Sequence, residues 1–335
     1  MARPRSAHTV SVKEKLIARL RDGFHRPGQR FFSNRALCDH FQISYQTAHR
    51  LIAELQAEGW LERRPASGTY VAGPTAELGG AQLIFHPRSR KADSFGARLL
   101  AELRAALTAV GIKADVAWGE PDLAPRADRL PVFWECPELA AASAAQRRFV
   151  VQLNDRPPPG LAANFVDSVS TDDFSGGAAA AELLRQVAPA RRLAVLAGPR
   201  GDRRSQQRVA GFQTQAAKAG VYWADTWYAE DAARLAPRLV SQHWGGVFCC
   251  NDRLAEAFLA ACARAKQPAP PLVGFDDAPV AERLNLTTIA IPWREIVAGA
   301  VEVVQRRLAG ATGPAAQLIF TPRPVFRATL PARRE

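Results

Sequence analysis

The sequence has few cysteines and almost no methionine: five Cys and one Met in 335 residues. Cys38, Cys136, Cys249, Cys250 and Cys262 are odd in number and show no CxxC spacing. That argues against a disulfide framework or thiolate zinc site and leaves buried, reduced thiols as the expectation. No apolar run approaches the roughly 18 uncharged residues a membrane-spanning helix needs. Charge opens the chain at Met1-Ala-Arg-Pro-Arg-Ser-Ala-His8, but no apolar segment follows, unlike a secretory signal. Catalytic signatures are missing too: no GxSxG, P-loop, HExxH, or GxGxxG after a strand. The six histidines are scattered without ligand spacing. Asp172-Asp173 and Asp276-Asp277 are sequence neighbours, which on a strand point to opposite faces and make no acid/base pair. The expectation is a cytoplasmic protein that is not an enzyme, with no catalytic residues, metal or cofactor.

Hydrophobic residues make up 47% and charged residues 23%, an ordinary globular composition. At roughly 100–200 residues per domain, the length allows two or three domains. Lys and Arg number 44 against 32 Asp and Glu, a net charge of +12, with Arg far outnumbering Lys. Such an excess favours polyanion partners through counterion release, although an Arg- and Ala-rich proteome would also produce it.

Organisation changes near residue 74. Before it lie three helical patterns and a Gly-centred hairpin; after it, apolar strand-like runs alternate with Ala-rich helical patterns. Gly73-Pro-Thr-Ala-Glu-Leu-Gly-Gly80 between them has linker composition. The expected domains are 1–73, a linker at 74–80, and 81–330; Pro331–Glu335 reads as a frayed end.

In the first segment Val12, Leu16, Ile17 and Leu20 fall at helical spacing within 11–21. Gly23 and Arg26-Pro27-Gly28 end that helix. Ser33 caps a second helix with Leu37 and Phe41. Ser44 caps a third, which buries Ala48, Leu51, Ile52 and Leu55. Residues 60–71 read as two short strands around a loop. Three helices and a β-wing form a winged helix-turn-helix. Leu20, Gly23, Pro27-Gly28, Ser33-Asn-Arg35, Leu37, Phe41, Ile43-Ser44, Thr47, Leu51, Leu55, Glu58-Gly-Trp-Leu61 and Ser67-Gly-Thr-Tyr-Val71 carry a resemblance. They resemble the DNA-binding domain of GntR-type bacterial transcription regulators. The third helix of such a domain enters the major groove, with Tyr45, Gln46, Thr47 and His49 near base edges and Ser44 as its cap. Ser33, Arg35 and Arg50 would hold phosphates, and the wing at Arg63, Arg64, Ser67 and Gly68 would approach the minor groove or backbone. Phe31-Phe32, Tyr45 and His49 depart from the family pattern, so the operator sequence does not carry over.

The second segment reads as an α/β fold. Runs at 81–85, 114–117, 130–134, 149–153, 192–197, 245–250 and 271–275 look like buried strands, with helices near 95–110, 203–219, 231–243, 252–265 and 296–308. The alternation implies parallel sheets flanked by helices, and its length implies two lobes. Ligands in such sheets sit beyond the carboxyl ends of the strands. Val169-Ser-Thr-Asp-Asp-Phe-Ser-Gly-Gly177, Arg208-Val-Ala-Gly-Phe212, Val247-Phe-Cys-Cys-Asn-Asp252, Val273-Gly-Phe-Asp-Asp277 and Leu286-Thr-Thr-Ile289 resemble the periplasmic-binding-protein-like effector domain of LacI-type repressors. The resemblance spans most of 81–330 and is strongest from 169 onward. By that resemblance Asp276, Arg208 and Asn251 match ligand-contacting positions. A carboxylate, a guanidinium and an amide suit the hydroxyls of a small sugar. Phe174, Trp134, Trp227 and Tyr228 are candidates to stack on a sugar face. Asx residues at strand ends also cap helices, and Asp252 and Asp277 are read that way.

Together the resemblances imply a dimeric, sugar-responsive repressor released from double-stranded operator DNA when ligand binds. Alternatives are a regulator sensing a purine or other non-sugar effector, or a constitutive DNA binder with a degenerate effector domain. A transport-type solute-binding protein shares the second fold but has no DNA reader.

Overall fold

The computed structural model describes residues 7–21, 24–25, 28–72, 78–91, 94–157, 160–189, 191–311 and 313–330. The helix stop expected at Gly23 and Arg26-Pro27, linker residues 73–77 and the tail 331–335 lie outside the described residues.

In chain order the N-terminal part holds α1 (Ala7–Arg21), α2 (Asn34–Phe41), α3 (Tyr45–Ala57), β1 (Leu61–Arg64) and β2 (Gly68–Val71). Next come β3 (Ala81–Phe85), α4 (Phe95–Ala109), β4 (Ala114–Trp118), β5 (Leu130–Trp134), α5 (Pro137–Ala145), β6 (Val150–Leu153) and β7 (Val166–Thr171). Then follow α6 (Asp173–Val187), β8 (Leu193–Ala197), α7 (Arg203–Gln215), β9 (Gly220–Trp223), α8 (Ala229–Val240), β10 (Gly246–Cys249) and α9 (Asp252–Arg264). The chain finishes with β11 (Leu272–Asp276), α10 (Pro279–Arg283), β12 (Thr288–Ala290), α11 (Trp293–Leu308), β13 (Gln317–Phe320) and β14 (Arg323–Val325).

Two compact units emerge. The first comprises Met1–Ser89, Leu100–Val169 and Gly299–Gln317; the second comprises Arg90–Leu99, Ser170–Ala298 and Leu318–Glu335.

Within the first unit, the N-terminal winged helix has its own core. Val12, Leu16 and Leu20 of α1 pack with Leu37 of α2, Leu51 and Leu55 of α3, and Phe31, Trp60 and Val71. Ser33 and Ser44 cap α2 and α3 by accepting from the amides of Ala36 (3.1 Å) and Thr47 (3.2 Å). Lys13 of α1 reaches across to Glu54 (2.9 Å) and to Glu58 at the end of α3. β1 and β2 pair antiparallel from Leu61↔Val71 to Arg64↔Gly68, forming the wing.

The first unit's large sheet runs β13-β7-β6-β5-β3-β4. β4, β3, β5, β6 and β7 are mutually parallel. Every residue of β3, β5 and β6 is buried, as expected of strands covered on both faces. Asp167 of β7 is fully buried and paired with Arg307 at 2.6 Å. The Arg307 guanidinium also donates to the carbonyls of Ala311, Gly313 and Pro314, and lies 3.6 Å from the Phe149 ring centroid.

The second unit's sheet runs β14-β12-β11-β10-β8-β9. It is parallel except where β14 pairs antiparallel to β12. Both sheets are the parallel, helix-flanked kind that the alternating pattern predicts. The C-terminal ends of β8, β10 and β11 bring Gly198, Asn251 and Asp276 to one edge of the second unit.

Candidate nucleic-acid interface and ligand site

On α3 the buried residues are Ala48, Leu51, Ile52 and Leu55, which leaves Tyr45, Gln46, His49 and Arg50 exposed over the first two turns. Tyr45 and His49 are four apart, as are Gln46 and Arg50, so these four form one continuous surface. Thr47 is half-buried, its hydroxyl 2.9 Å from that of Ser44. Arg35 is exposed on α2. On the wing, Arg63 is exposed, whereas Arg64 is held by Glu62 (2.6 Å) and stacks on Tyr70 at 4.3 Å. Ser67 shares a 2.6 Å hydrogen bond with the Tyr70 hydroxyl. Gly68 adopts φ 123°, a conformation that favours glycine, and a Cβ there would press on the Arg30 guanidinium. The unusual Phe31-Phe32 pair serves packing. Phe31 is in the core, and both rings stand edge-on to the buried His25, whose imidazole is held below its ordinary pKa by burial and by Arg19.

In the second unit two carboxylates converge on one guanidinium. Arg208 of α7 is buried and donates to Asp173 (2.7 Å), Asp276 (3.3 Å) and the Cys250 carbonyl (2.5 Å). Its guanidinium lies 3.6 Å from the Phe275 ring centroid. Asp252, fully buried nearby, accepts from Thr288 (2.7 Å) and from the Ala278 amide (2.8 Å). Burial pushes the Asp276 carboxyl up to about 6, with Arg208 opposing and Asp173 adding to the rise. Asp252 is raised as well, by burial and by Asp276. Arg208 is held above its ordinary value because Asp173 and Asp276 outweigh its desolvation. Asp276 and Asp277 both take positive φ (104° and 57°), a strained end to β11 that turns both carboxyls at the strand edge.

Trp227 lies beside this cluster. Its ring rests on Gly198, where a Cβ would stand 2.6 Å away, and its indole N–H donates to Asp202 at 2.8 Å. Burial raises the Asp202 carboxyl, but hydrogen bonds from Arg204 and Trp227 outweigh it and keep the acid well below the usual range. Arg204 and Arg208 sit 5.6 and 5.5 Å from the Trp227 ring. Asn251 caps α9 by accepting from the Leu254 amide (2.8 Å) and donates to the Trp227 carbonyl (3.1 Å), so most of its amide is engaged in holding neighbours. Asp277 pairs with Arg327 at 2.8 Å.

Asp276, Asp277, Phe95, Arg98 and Trp293 line a cavity of about 230 Å³. The rings of Phe95 and Trp293 are 4.0 Å apart, and Arg98 lies 5.4 Å from the Trp293 centroid. These aromatics and Asp173 were not among the sequence candidates. The only sequence cue was Asp173 within the Asp172-Asp173 pair; Phe95 falls at the start of the helix expected at 95–110, and Trp293 lies just ahead of the one expected at 296–308. Of the candidates, Asp276, Arg208, Asn251 and Trp227 come together. Phe174 is 40% exposed on α6, and Tyr228 precedes α8 with Lys91 at 5.4 Å from its ring. Trp134 belongs to the first unit, where it is buried, stacked on Phe85 at 5.6 Å with Arg88 at 5.3 Å.

Residues 8–71 match the gntR family of bacterial regulatory proteins, and residues 181–330 match a periplasmic binding protein-like domain. The chain joins a GntR-type headpiece to a periplasmic-binding-protein-like domain. The chain is 28% identical over 65 residues to the arabinose metabolism transcriptional repressor of Geobacillus stearothermophilus. That match covers 19% of this chain and 18% of the repressor. Among solved structures, the regulator CelR in complex with cellobiose aligns over 98% of this chain and 100% of its own, with 18% identity and a TM-score of 0.66. A LacI family regulator from Enterococcus faecalis with bound ribose covers 76% of this chain and 100% of its own, at 17% identity and TM-score 0.62. A LacI regulator from Rhodococcus covers 75% and 98%, at 22% identity and TM-score 0.60. At these identities the structural likeness establishes the fold. Among the described residues, no helix is long and apolar enough to cross a membrane.

Proposed function

We propose that the protein is a ligand-responsive, DNA-binding transcription regulator and not an enzyme. In this reading residues 1–73 form the DNA reader, 74–80 the linker and 81–330 the effector-binding domain. Two copies place their α3 helices on half-sites about one helical turn, or a multiple of it, apart. A small sugar binds at the strand ends of the second unit and lowers operator affinity. The observation that carries the ligand assignment is the buried Asp173–Arg208–Asp276 cluster beside a cavity walled by Phe95 and Trp293. Asp276 would accept from sugar hydroxyls, Arg208 would orient it, and an aromatic ring would cover the apolar face of the sugar.

The cellobiose and ribose bound in fold neighbours support a sugar, and the arabinose repressor supports the DNA reader. The Phe95–Trp293 pair favours one second reading, a planar nucleobase. The test is titration of pentoses, hexoses and nucleobases followed by tryptophan fluorescence, paired with selection of bound fragments from a genomic library. Saturable binding of a sugar that changes operator affinity supports the proposal. A nucleobase response replaces the sugar, and operator binding indifferent to every ligand overturns the effector role.

A further inference from the structure

The opposite ends of the second unit's strands hold a cavity that the strand-end site does not use. It has a volume of about 250 Å³. Its lining comes from segments just before β8 (Arg191), β10 (His243 and Trp244) and β11 (Gln267), with Leu239 of α8 and Phe258 of α9. Trp244, Leu239 and Phe258 are buried, whereas Arg191 and His243 are exposed and Gln267 is half-buried, giving an apolar floor and a polar rim.

Two features distinguish this hollow from a packing defect. The indole Nε1 of Trp244 is buried and has no hydrogen-bond partner among the described residues. A buried donor without an acceptor is unfavourable, and a small shift of the indole toward an occupant's acceptor atom would relieve it. The rim is also basic: Arg191 has no acidic partner among the described residues, and the Arg192 guanidinium already lies 4.5 Å from the Trp244 ring. A flat apolar body matches the floor; an anionic acceptor matches the indole N–H and the arginine. The volume falls below the roughly 300–1,000 Å³ of sites for drug-sized ligands, so the occupant is small.

The geometry points to a second ligand site here, for a small aromatic carboxylate. It lies on the same unit as the proposed sugar site but at the other ends of the strands, so the two can be tested separately.

Benzoate is the probe, with benzyl alcohol as its uncharged counterpart. The full chain is labelled with 15N, and the Trp244 indole N–H resonance is assigned by its loss in Trp244→Phe. Millimolar benzoate should move that resonance saturably, and Arg191→Ala, an exposed and structurally mild change, should weaken binding roughly five- to tenfold. Asp276→Asn should leave benzoate binding unchanged. A resonance that does not move, equal affinity in Arg191→Ala, or benzyl alcohol binding as tightly as benzoate would each overturn the site. None of those results bears on sugar binding at Asp276.

Discussion

The backbone of Arg208 lies directly against Gly177, where a Cβ would run into the Arg208 carbonyl oxygen. A Cβ on Gly211 would likewise run into the Phe174 carbonyl. α6 and α7 therefore touch backbone to backbone. Asp173, one turn before Gly177 on the same face of α6, is thereby brought within 2.7 Å of the Arg208 guanidinium. Gly177→Ala should cost about 1–3 kcal/mol through overpacking and separate Arg208 from Asp173. Urea unfolding and ligand titration should show lower stability together with weaker ligand binding. A variant with both unchanged would mean the two helices can shift apart freely.

Asp276 gives a pH signature with a definite sign. Its folded pKa is raised to about 6 from an ordinary 3.8, mainly by burial. Below 3.8 the acid is neutral in both states and costs nothing; as pH rises through 6 the folded state must hold an unfavourable charge. Asp276→Asn removes that burden. The variant should exceed wild type in stability by a margin that is small near pH 4, grows through pH 6 and is constant above it. Asp252 shifts in the same direction, partly because of the Asp276 charge, so Asp276→Asn also relieves Asp252 and the two effects add with the same sign. A margin that does not vary between pH 4 and 7 would contradict the raised pKa.

The strands with continuous apolar runs, β3, β5, β6, β8, β10 and β11, were legible because burial on both faces leaves such runs in a sequence. β9, β12 and β13 were not: Gly220–Trp223 is a half-buried edge strand, Thr288–Ala290 is only three residues, and Gln317–Phe320 alternates exposed and half-buried. The α7 pattern overran to 219, whereas the helix stops at Gln215; α11 begins at Trp293, three residues ahead of the apolar period that marked it. Asp276 and Arg208 were named through resemblance, but nothing in the sequence shows that they bind each other and share Asp173. That pairing comes from Gly177 and Gly211, whose significance depends on which helix they meet. Asn251 illustrates the converse: the same residue type fits a ligand contact or a cap, and its hydrogen bonds to Leu254 and Trp227 are those of a residue that positions its neighbours.

In the first unit, Asp167 and Arg307 form a buried ion pair whose remaining donors are all taken by the carbonyls of Ala311, Gly313 and Pro314. Asp167→Ala strands the buried Arg307 charge and should cost about 3–5 kcal/mol in urea unfolding. A loss under about 1 kcal/mol would mean that water reaches Arg307.

If α3 reads bases and α2 holds phosphate, their variants should fail differently. Gln46→Ala should lose about 1–3 kcal/mol on the best operator and little on unrelated DNA. Arg35→Ala should weaken both and reduce the slope of log K against log salt by about one. The same salt slope for Arg35→Ala and wild type would remove Arg35 from the phosphate contacts.

Arg147, just before β6, lays its guanidinium 3.8 Å from the Trp60 ring centroid and donates to the carbonyl of Glu58, the C-cap of α3. One of its nitrogens, Nη1, is buried without a hydrogen-bond partner among the described residues, and burial lowers the Arg147 pKa to about 10. The indole face adds about 0.5–2 kcal/mol to the hydrogen bond that the guanidinium makes with the Glu58 carbonyl. That hydrogen bond is also a direct contact between the end of α3 and the turn that leads into β6 of the first unit. Arg147→Ala should therefore speed hydrogen exchange at Trp60 and Leu61. It should leave ligand affinity unchanged and shrink the factor by which ligand alters operator binding. If that factor stayed at its wild-type value while exchange rose, the contact would serve headpiece stability and the coupling would run through another part of the chain.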